Sequence, residues 1–481
     1  MARVSKRSFT FFRLSPAEQI NALCFGVEQG KAKKRFSAEF YQPIYQIFDI
    51  RLENSKFTCR SLSEICSLIS DGTHHTPKYI SDDNQGIHFI SVKDVREWEI
   101  SFEKTKFISE EEHHKLAKRC SPKTNDILLT KIGTIGKAAL VPSNVRIFDI
   151  FVSVALLRLN ENGISPPFVT YFLNSEIARI QFSRVVKGIG VPDLHLEDIA
   201  AIKIPIPPVN KQIELVSAMD EARSQQKQKL AEADALLSSL DDYLLQTLGL
   251  ETPVKDERKV FAIQTSIISG RFDPHFHAPN FKKIYRLLSK TTTKALGEIV
   301  QFSKDSWNPK DEEKSTFRYI EISNVKPQTG EAIWTETLTK EAPSRARMLV
   351  HDDDIIVSLT RPHHGSIAHL SEEFDGCIAS TGFAVIRSVS KLVNREYLWC
   401  ILRSQLSLQQ MLQRSSGGNY PAITKAELEN IIIPVPEISI QEKIVSEIQH
   451  RRSEAQRLRS EAETGWQAAK QWFEDQLLGG R

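Results

Sequence analysis

Cysteine is scarce in this chain, and no cysteine is spaced to work with another. Six are scattered over 481 residues, at Cys24, Cys59, Cys66, Cys120, Cys377 and Cys400. The absence of a CxxC pair leaves neither a redox dithiol nor a zinc-ligand spacing. Isolated thiols of a reducing compartment are the expectation. No window approaches the ~20 apolar residues of a membrane span. The N-terminal MARVSKRSFTFFRLSPAEQ lacks the continuous apolar stretch of a signal peptide. A cytoplasmic protein without a membrane partner is expected. No GxxxxGK(S/T) loop and no GxGxxG occur, so nothing supports nucleotide binding of those types, and no cofactor is expected. Nor does charge of one sign dominate. The formal net charge is +3, which leaves nucleic acid open without arguing for it, because a local basic face matters more than the total.

What the chain does have is a repeat of itself, which decides the architecture. IPIPPVNKQIELV (204–216) matches IPVPEISIQEKIV (433–445) at an offset of 229 residues. At that offset Pro192 matches Pro421, Arg158 matches Arg387, and Phe168–Leu173 match Tyr397–Leu402. NDILLTKIGTIGKAAL (125–140) resembles DDIIVSLTRPHHGSIAHL (353–370), and RFSAEFYQP (35–43) resembles RFDPHFHAP (271–279). Each copy holds short β-branched runs, such as DILLT and VALLRL or DIIVSL and FAVIR, which read as strands. One helix is expected over 166–182 and its counterpart over 395–413.

A long helix without internal proline closes each copy, over about 209–248 and 438–478. Leu215, Met219, Ala222, Gln226, Lys229, Ala233, Leu236, Leu240 and Tyr243 recur in steps of four and three. So do Ile444, Ile448, Arg451, Ala455, Leu458, Ala462, Gly465, Ala469 and Trp472. That is a coiled-coil seam, with two amphipathic helices lying on separate domains as the alternative. Like units pack most simply about a pseudo-twofold axis. The expectation is therefore an α+β chain. Two mixed α/β domains, 1–207 and 271–436, are separated by long helices at 208–248 and 437–481, with a connector at 249–270. The helices would form an antiparallel coiled coil.

This arrangement resembles the specificity subunits of type I restriction-modification systems. The strings that carry the resemblance are the two proline-to-helix junctions, DGTHHTPKY (71–79) and ISVKDV (90–95). Where the family's junction often carries Glu-Gln, this chain has Lys211-Gln212 and Ile440-Gln441. The resemblance implies that each globular part is a target recognition domain for half of a bipartite site in double-stranded DNA. It implies that the helices hold two methyltransferase subunits, that motor-nuclease subunits join them, and that all chemistry belongs to those partners. Two rivals differ in kind: a self-contained DNA methyltransferase or nuclease, and a coiled-coil scaffold that touches no DNA.

Three loop pairs suit nucleic acid. Lys131, Thr134 and Lys137 follow a strand among glycines that would let backbone N–H groups approach a phosphate. The counterpart carries Thr360, Arg361, His363 and His364, where an arginine can bond guanine bidentately. A plain connecting loop is the alternative. Lys187-Gly188-Ile189-Gly190 and the loop ending in Asn419 and Tyr420 form a second pair, where glycine can also serve a simple turn. Thr73, His74 and His75 form a third candidate, whose place in the second copy is taken by Lys304–Asn308. Ser165-Pro166-Pro167-Phe168 looks like an amino-methyltransferase motif, but serine before proline also suits the start of a helix.

Overall fold

A computed structural model describes residues 38–81, 86–144, 147–160, 163–188, 190–251, 260–263 and 272–479. The N-terminal stretch 1–37, the opening of the RFSAEF and RFDPHF match, and most of the connector lie outside the described residues. The chain divides into two compact units, 1–228 with 461–481, and 229–460. Among the described residues no helix is long and apolar enough to cross a membrane.

In the first unit an antiparallel sheet orders Cys66–Asp71, Val154–Leu159, Ile127–Thr130 and Ala138–Leu140. Its run Ile-Leu-Leu-Thr is buried throughout, because both faces of the sheet are covered. Ile127 and Leu129 face one core, which includes Phe168 and Phe172 of the helix Pro166–Leu173. Leu128 points to the other face, beside Ile90, Phe148 and Ile150. This is the two-residue alternation of a strand, and it explains why the run is apolar without a break. A second sheet orders Phe148–Ile150, Ile87–Ile90, Lys106–Ile108 and Tyr79–Ile80, its first pair parallel.

In the second unit the first sheet has the same order: Val300–Phe302, Phe383–Val389, Ile355–Ser358 and Ile367–His369. Its second sheet orders Thr335–Leu338, Thr316–Ile320, Ile378–Ser380 and Ala346–Leu349. The parallel pair recurs there, between Thr316–Ile320 and Ile378–Ser380. The units differ in where the fourth strand is added. Tyr79–Ile80 pairs with Lys106–Ile108, whereas Ala346–Leu349 pairs with the strand of the parallel pair at the opposite end.

Each expected mid-domain helix is two helices. The first breaks between Pro166–Leu173 and Glu176–Val185, the second between Arg395–Leu402 and Gln405–Arg414. At the first break the Asn174 side chain turns to the backbone of Ala138, and Ser175 caps the new helix by accepting from Ala178 N. A side-chain acceptor at this point competes with the helix's own hydrogen bonds. The first long helix runs Val209–Ser238 and restarts as Leu240–Thr247; the second is continuous over Ile438–Leu478.

The seam of the first long helix buries Leu215, Met219 and Ala233, and that of the second buries Ile444, Ile448, Ala455, Leu458 and Ala462. Beyond Ala462 the expectation fails by one residue. Trp466 and Phe473 are buried where Gly465 and Trp472 were expected, and Gly465 is exposed with open space around it. A step of four from Ala462 brings Trp466 inward in place of Gly465, where it meets Trp98 edge-on at 5.0 Å, and the shifted register then buries Phe473, 6.1 Å from Phe168. Burying a ring of this size is worth up to ~3 kcal/mol, which outweighs the regularity of the spacing.

The matched Gln212 and Gln441 are both buried and make the same three bonds in their own units. Gln212 Oε1 accepts from Ser165 N, and its amide donates to the carbonyls of Gly163 and Pro207. Gln441 Oε1 accepts from Asn394 N, and its amide donates to Leu392 and Pro436. The glutamine at the junction is therefore a clamp between helix and domain. The matched arginines also have equivalent partners: Arg158 bonds the buried Asp126, and Arg387 the buried Asp354.

Candidate nucleic-acid interface

The loops at 131–137 and 359–366 are the tips of hairpins, each joining the inner to the outer strand of the first sheet. The glycine loops follow the second helix of each pair and return beside these tips. In the first unit Gly133 N donates to Pro192 O, and Leu194 N to Lys131 O. In the second, Arg361 N donates to Pro421 O and Ile423 N to Leu359 O. The two loop pairs are thus one surface in each unit, stitched by backbone hydrogen bonds.

The exposed chemistry on this shared frame is unlike. Arg361 takes the place of Gly133 in the stitching and is left-handed, with φ of 47° against 81° for the glycine. A non-glycine residue there costs roughly 1–2 kcal/mol. The guanidinium lies 4.2 Å from the centre of the Tyr420 ring and donates to Asn419 O at 3.2 Å. Tyr420 is 69 % exposed; Val191 lies at the same offset in the first unit and is 61 % exposed. Asn419 is exposed, as is Thr134. Thr360 pairs through its backbone with Ala422 and accepts from the Ser358 hydroxyl.

His363 and His364 stand edge to face at 4.6 Å. His364 is exposed, while burial and the adjacent His364 and Arg361 push the His363 imidazole below its ordinary pKa. The His363 Nδ1 atom is buried without a hydrogen bond.

In the first unit the third loop joins the same surface through a charged cluster. Lys131 is 5 % exposed, and its ammonium lies 3.6 Å from Asp71 and 3.7 Å from Asp193. Arg119 bonds the other oxygen of Asp71 at 2.5 Å and meets His74 Nε2 at 3.1 Å. Lys131 is therefore an internal tie between loops, not a free cation. Thr73 is buried and pairs with the strand edge at Ile150 and Val152, with its hydroxyl accepting from His75 N. Gly72 is required there, because a Cβ would overlap the Ile150 carbonyl. His74 and His75 are exposed, and Lys137 is half-buried. The sequence reading missed Asp71, Arg119 and Asp193 as partners. Only Asp71 carried a signal, since it opens DGTHHTPKY.

Ser165 is a helix cap, its hydroxyl accepting from Phe168 N at 3.5 Å; Asn394 caps the matching helix by accepting from Tyr397 N at 3.1 Å.

The comparisons agree with this frame. A chain from work on complex assembly and conformational transition of the type I R-M system shares the fold. It has a TM-score of 0.52 and 16 % identity, and the match covers 87 % of this chain and 95 % of that one. The putative type I restriction enzyme MjaX specificity subunit of Methanocaldococcus jannaschii is 23 % identical over 406 residues, 81 % of this chain and 85 % of that protein. The type I restriction enzyme HindI specificity subunit of Haemophilus influenzae is 27 % identical over 140 residues, 29 % of this chain. That match spans only 28 % of the Haemophilus protein's length. The family model for the type I restriction modification DNA specificity domain matches twice, over residues 54–233 and 289–453, so the chain belongs to that family.

Proposed function

We propose that this chain is the non-catalytic specificity subunit of a type I restriction-modification complex in the cytoplasm, reading a bipartite, asymmetric site in double-stranded DNA. One observation carries the reading. The same hairpin-and-loop frame occurs in both units, but it presents Arg361, Tyr420 and Asn419 in one and glycines, Thr134 and Val191 in the other. A shared frame with unlike side chains suits two modules that read different bases.

The chain would be an internal duplication with pseudo-twofold symmetry, its domains at 1–207 and 271–436. The long helices would pair as an antiparallel coiled coil. Each unit separately supports this. Leu215 and Met219 share a core with Trp466, Phe473 and Leu477, and Leu244 and Leu245 share one with Ile444 and Ile448. Two methyltransferase subunits and motor-nuclease subunits would dock on the chain, and adenine methylation, AdoMet binding and ATP hydrolysis would be theirs. The capping role of Ser165 supports a chain without a methyltransferase site of its own.

Mapping modified adenines in DNA from a host carrying the complex is the test. Exchanging 360–366 together with 415–420 should change one half of the methylated motif and leave the other. A motif unchanged by that exchange sinks the assignment of these loops. AdoMet-dependent methylation by the isolated chain sinks the non-catalytic reading.

A further inference from the structure

One residue position, at the break in each helix pair, reaches the recognition hairpin in both units. In the first unit it is Asn174, 5 % exposed. Its Oδ1 accepts from Ala138 N at 2.9 Å, and its Nδ2 donates to Ala138 O at 2.8 Å and Thr170 O at 3.0 Å. Ala138 opens the strand that leaves the hairpin tip. In the second unit the position 229 residues on is Arg403. One end of its guanidinium donates to Gly365 O and Ile367 O, at 3.2 and 3.1 Å. The other end donates to Pro327 O and Gln328 O, at 3.1 and 2.9 Å. Ile367 opens the strand that leaves the second hairpin tip. Trp399 donates its indole N–H to the same Ile367 carbonyl at 3.1 Å, and Gly330 is left-handed where a Cβ would strike the guanidinium.

We propose that Asn174 and Arg403 are positioning residues for sequence recognition, each fixing the outgoing strand of its unit's hairpin to the helix pair. The chemistry differs but the anchored atom does not. Both side chains bond the main chain of the first residue after the tip, so the tip's height above the sheet is set by a group that never meets DNA. An arginine that satisfies four carbonyls is a rigid fork and not a mobile surface cation. Arg403 therefore belongs to the hairpin's support and Arg361 to its reading edge. The inference rests on reading the hairpins as recognition elements.

The test uses the full chain in its assembled complex, with the variants Arg403→Lys and Asn174→Ala. Lysine keeps the cation and three donors but cannot span both carbonyl pairs. Amide hydrogen exchange over 359–367 should quicken about tenfold in Arg403→Lys while 355–358 stays as in the wild type. The methylation map should lose discrimination in one half-site only. Asn174→Ala should do the same over 131–138 and for the other half-site. Unchanged exchange at the hairpin overturns the inference and leaves the reading of the hairpins standing. Faster exchange spread over the whole unit overturns it in favour of a purely structural role. Faster exchange confined to the hairpin with an unchanged methylation map overturns the reading of the hairpins, and the inference with it.

Discussion

The Arg361 guanidinium stacks over the Tyr420 ring at 4.2 Å, although the two residues belong to different loops. The contact restrains the guanidinium beside an exposed ring, and a guanidinium restrained in this way can bond guanine bidentately. Arg361→Ala should cost the assembled complex ~1–3 kcal/mol in binding and relax one position of one half-site. Tyr420→Ala should relax that same position, and the double variant should show non-additive losses. Measured affinities across single-base variants of the site decide this. Uniform weakening on every sequence, with the salt slope down by about one, would mean a phosphate contact instead. Arg361→Gly separates stability from reading. Relief of the left-handed backbone is worth roughly 1–2 kcal/mol, while loss of the ring contact (about 0.5–1 kcal/mol) and the extra freedom of glycine in the unfolded chain (about 0.4–1 kcal/mol) offset it, so thermal stability should stay close to wild type while binding falls.

Lys131 and Lys137 should behave in opposite ways. Lys131 is buried between Asp71 and Asp193. Removing it leaves a buried carboxylate short of a partner, so Lys131→Ala should destabilise the chain by about 2–4 kcal/mol in denaturant titration. Lys137 is half-buried and has no ion pair among the described residues; its backbone N–H donates to the Thr130 hydroxyl. Lys137→Ala should leave stability within ~0.5 kcal/mol and, if the cation meets a phosphate, lower the salt slope by about one.

The junction glutamines predict a matched pair of losses. Gln441→Ala strands Asn394 N and the Leu392 and Pro436 carbonyls, which Gln441 now satisfies from a fully buried position. A cost of about 2–4 kcal/mol follows from unpaired groups of this kind. Gln212→Ala should cost a similar amount, because its three bonds are the same. A loss under 1 kcal/mol in urea titration of either variant would show that water replaces the clamp.

Glu474 gives stability a pH dependence of unusual sign. The carboxylate is 3 % exposed, accepts from Glu176 N at 2.7 Å, and is pushed up to about 7, chiefly by burial. Glu176 and Asp475 oppose its ionisation, and Lys470 favours it. The folded state therefore holds a proton that the unfolded state has released between about pH 4.5 and 7. Stability from this group is present at mildly acid pH and is lost as pH rises through 7, by up to ~3 kcal/mol. Asp241, pushed up to about 6 by burial while accepting from Gln405 N, acts in the same direction in the second unit. Glu474→Gln keeps the acceptor and removes the charge. Its melting temperature should fall less than that of the wild type between pH 5 and 7.5. An identical pH slope in both proteins would show that Glu474 titrates normally.

The strands DILLT and DIIVS were legible because each is an unbroken apolar run between turn residues, and two covered faces demand that pattern. The long helices were legible from their spacing, up to Ala462. Past that point Trp466 won over Gly465 and shifted the register by one residue, and spacing alone does not carry side-chain size. The helix breaks were hidden because Asn174-Ser175 reads as a polar interlude in a good helix until Ala138 arrives beside it. The surface around Lys131 was hidden for the same reason. Its partners Asp71 and Asp193 lie far from it along the chain, and only the fold turns a presumed phosphate ligand into an internal tie. The glycine loop and the hairpin tip read as separate candidates, yet backbone hydrogen bonds make them neighbours.

The make-up of the first unit bears on synthesis. Its core combines Phe168, Phe172 and Leu215 with Trp466, Phe473 and Leu477. Residues 38–228 leave the ribosome before the whole of the second unit, and residues 461–479 leave after it. At about 5–20 residues per second the gap is on the order of tens of seconds. Throughout that time the apolar face of Pro166–Leu173 lacks the part of its cover that Trp466, Phe473 and Leu477 supply, whereas the second unit, drawn from the continuous stretch 229–460, has every residue of its own core as soon as that stretch is made. The part of the chain made first is thus finished last, and a nascent chain stalled before Trp466 would expose aromatic surface on its earliest domain.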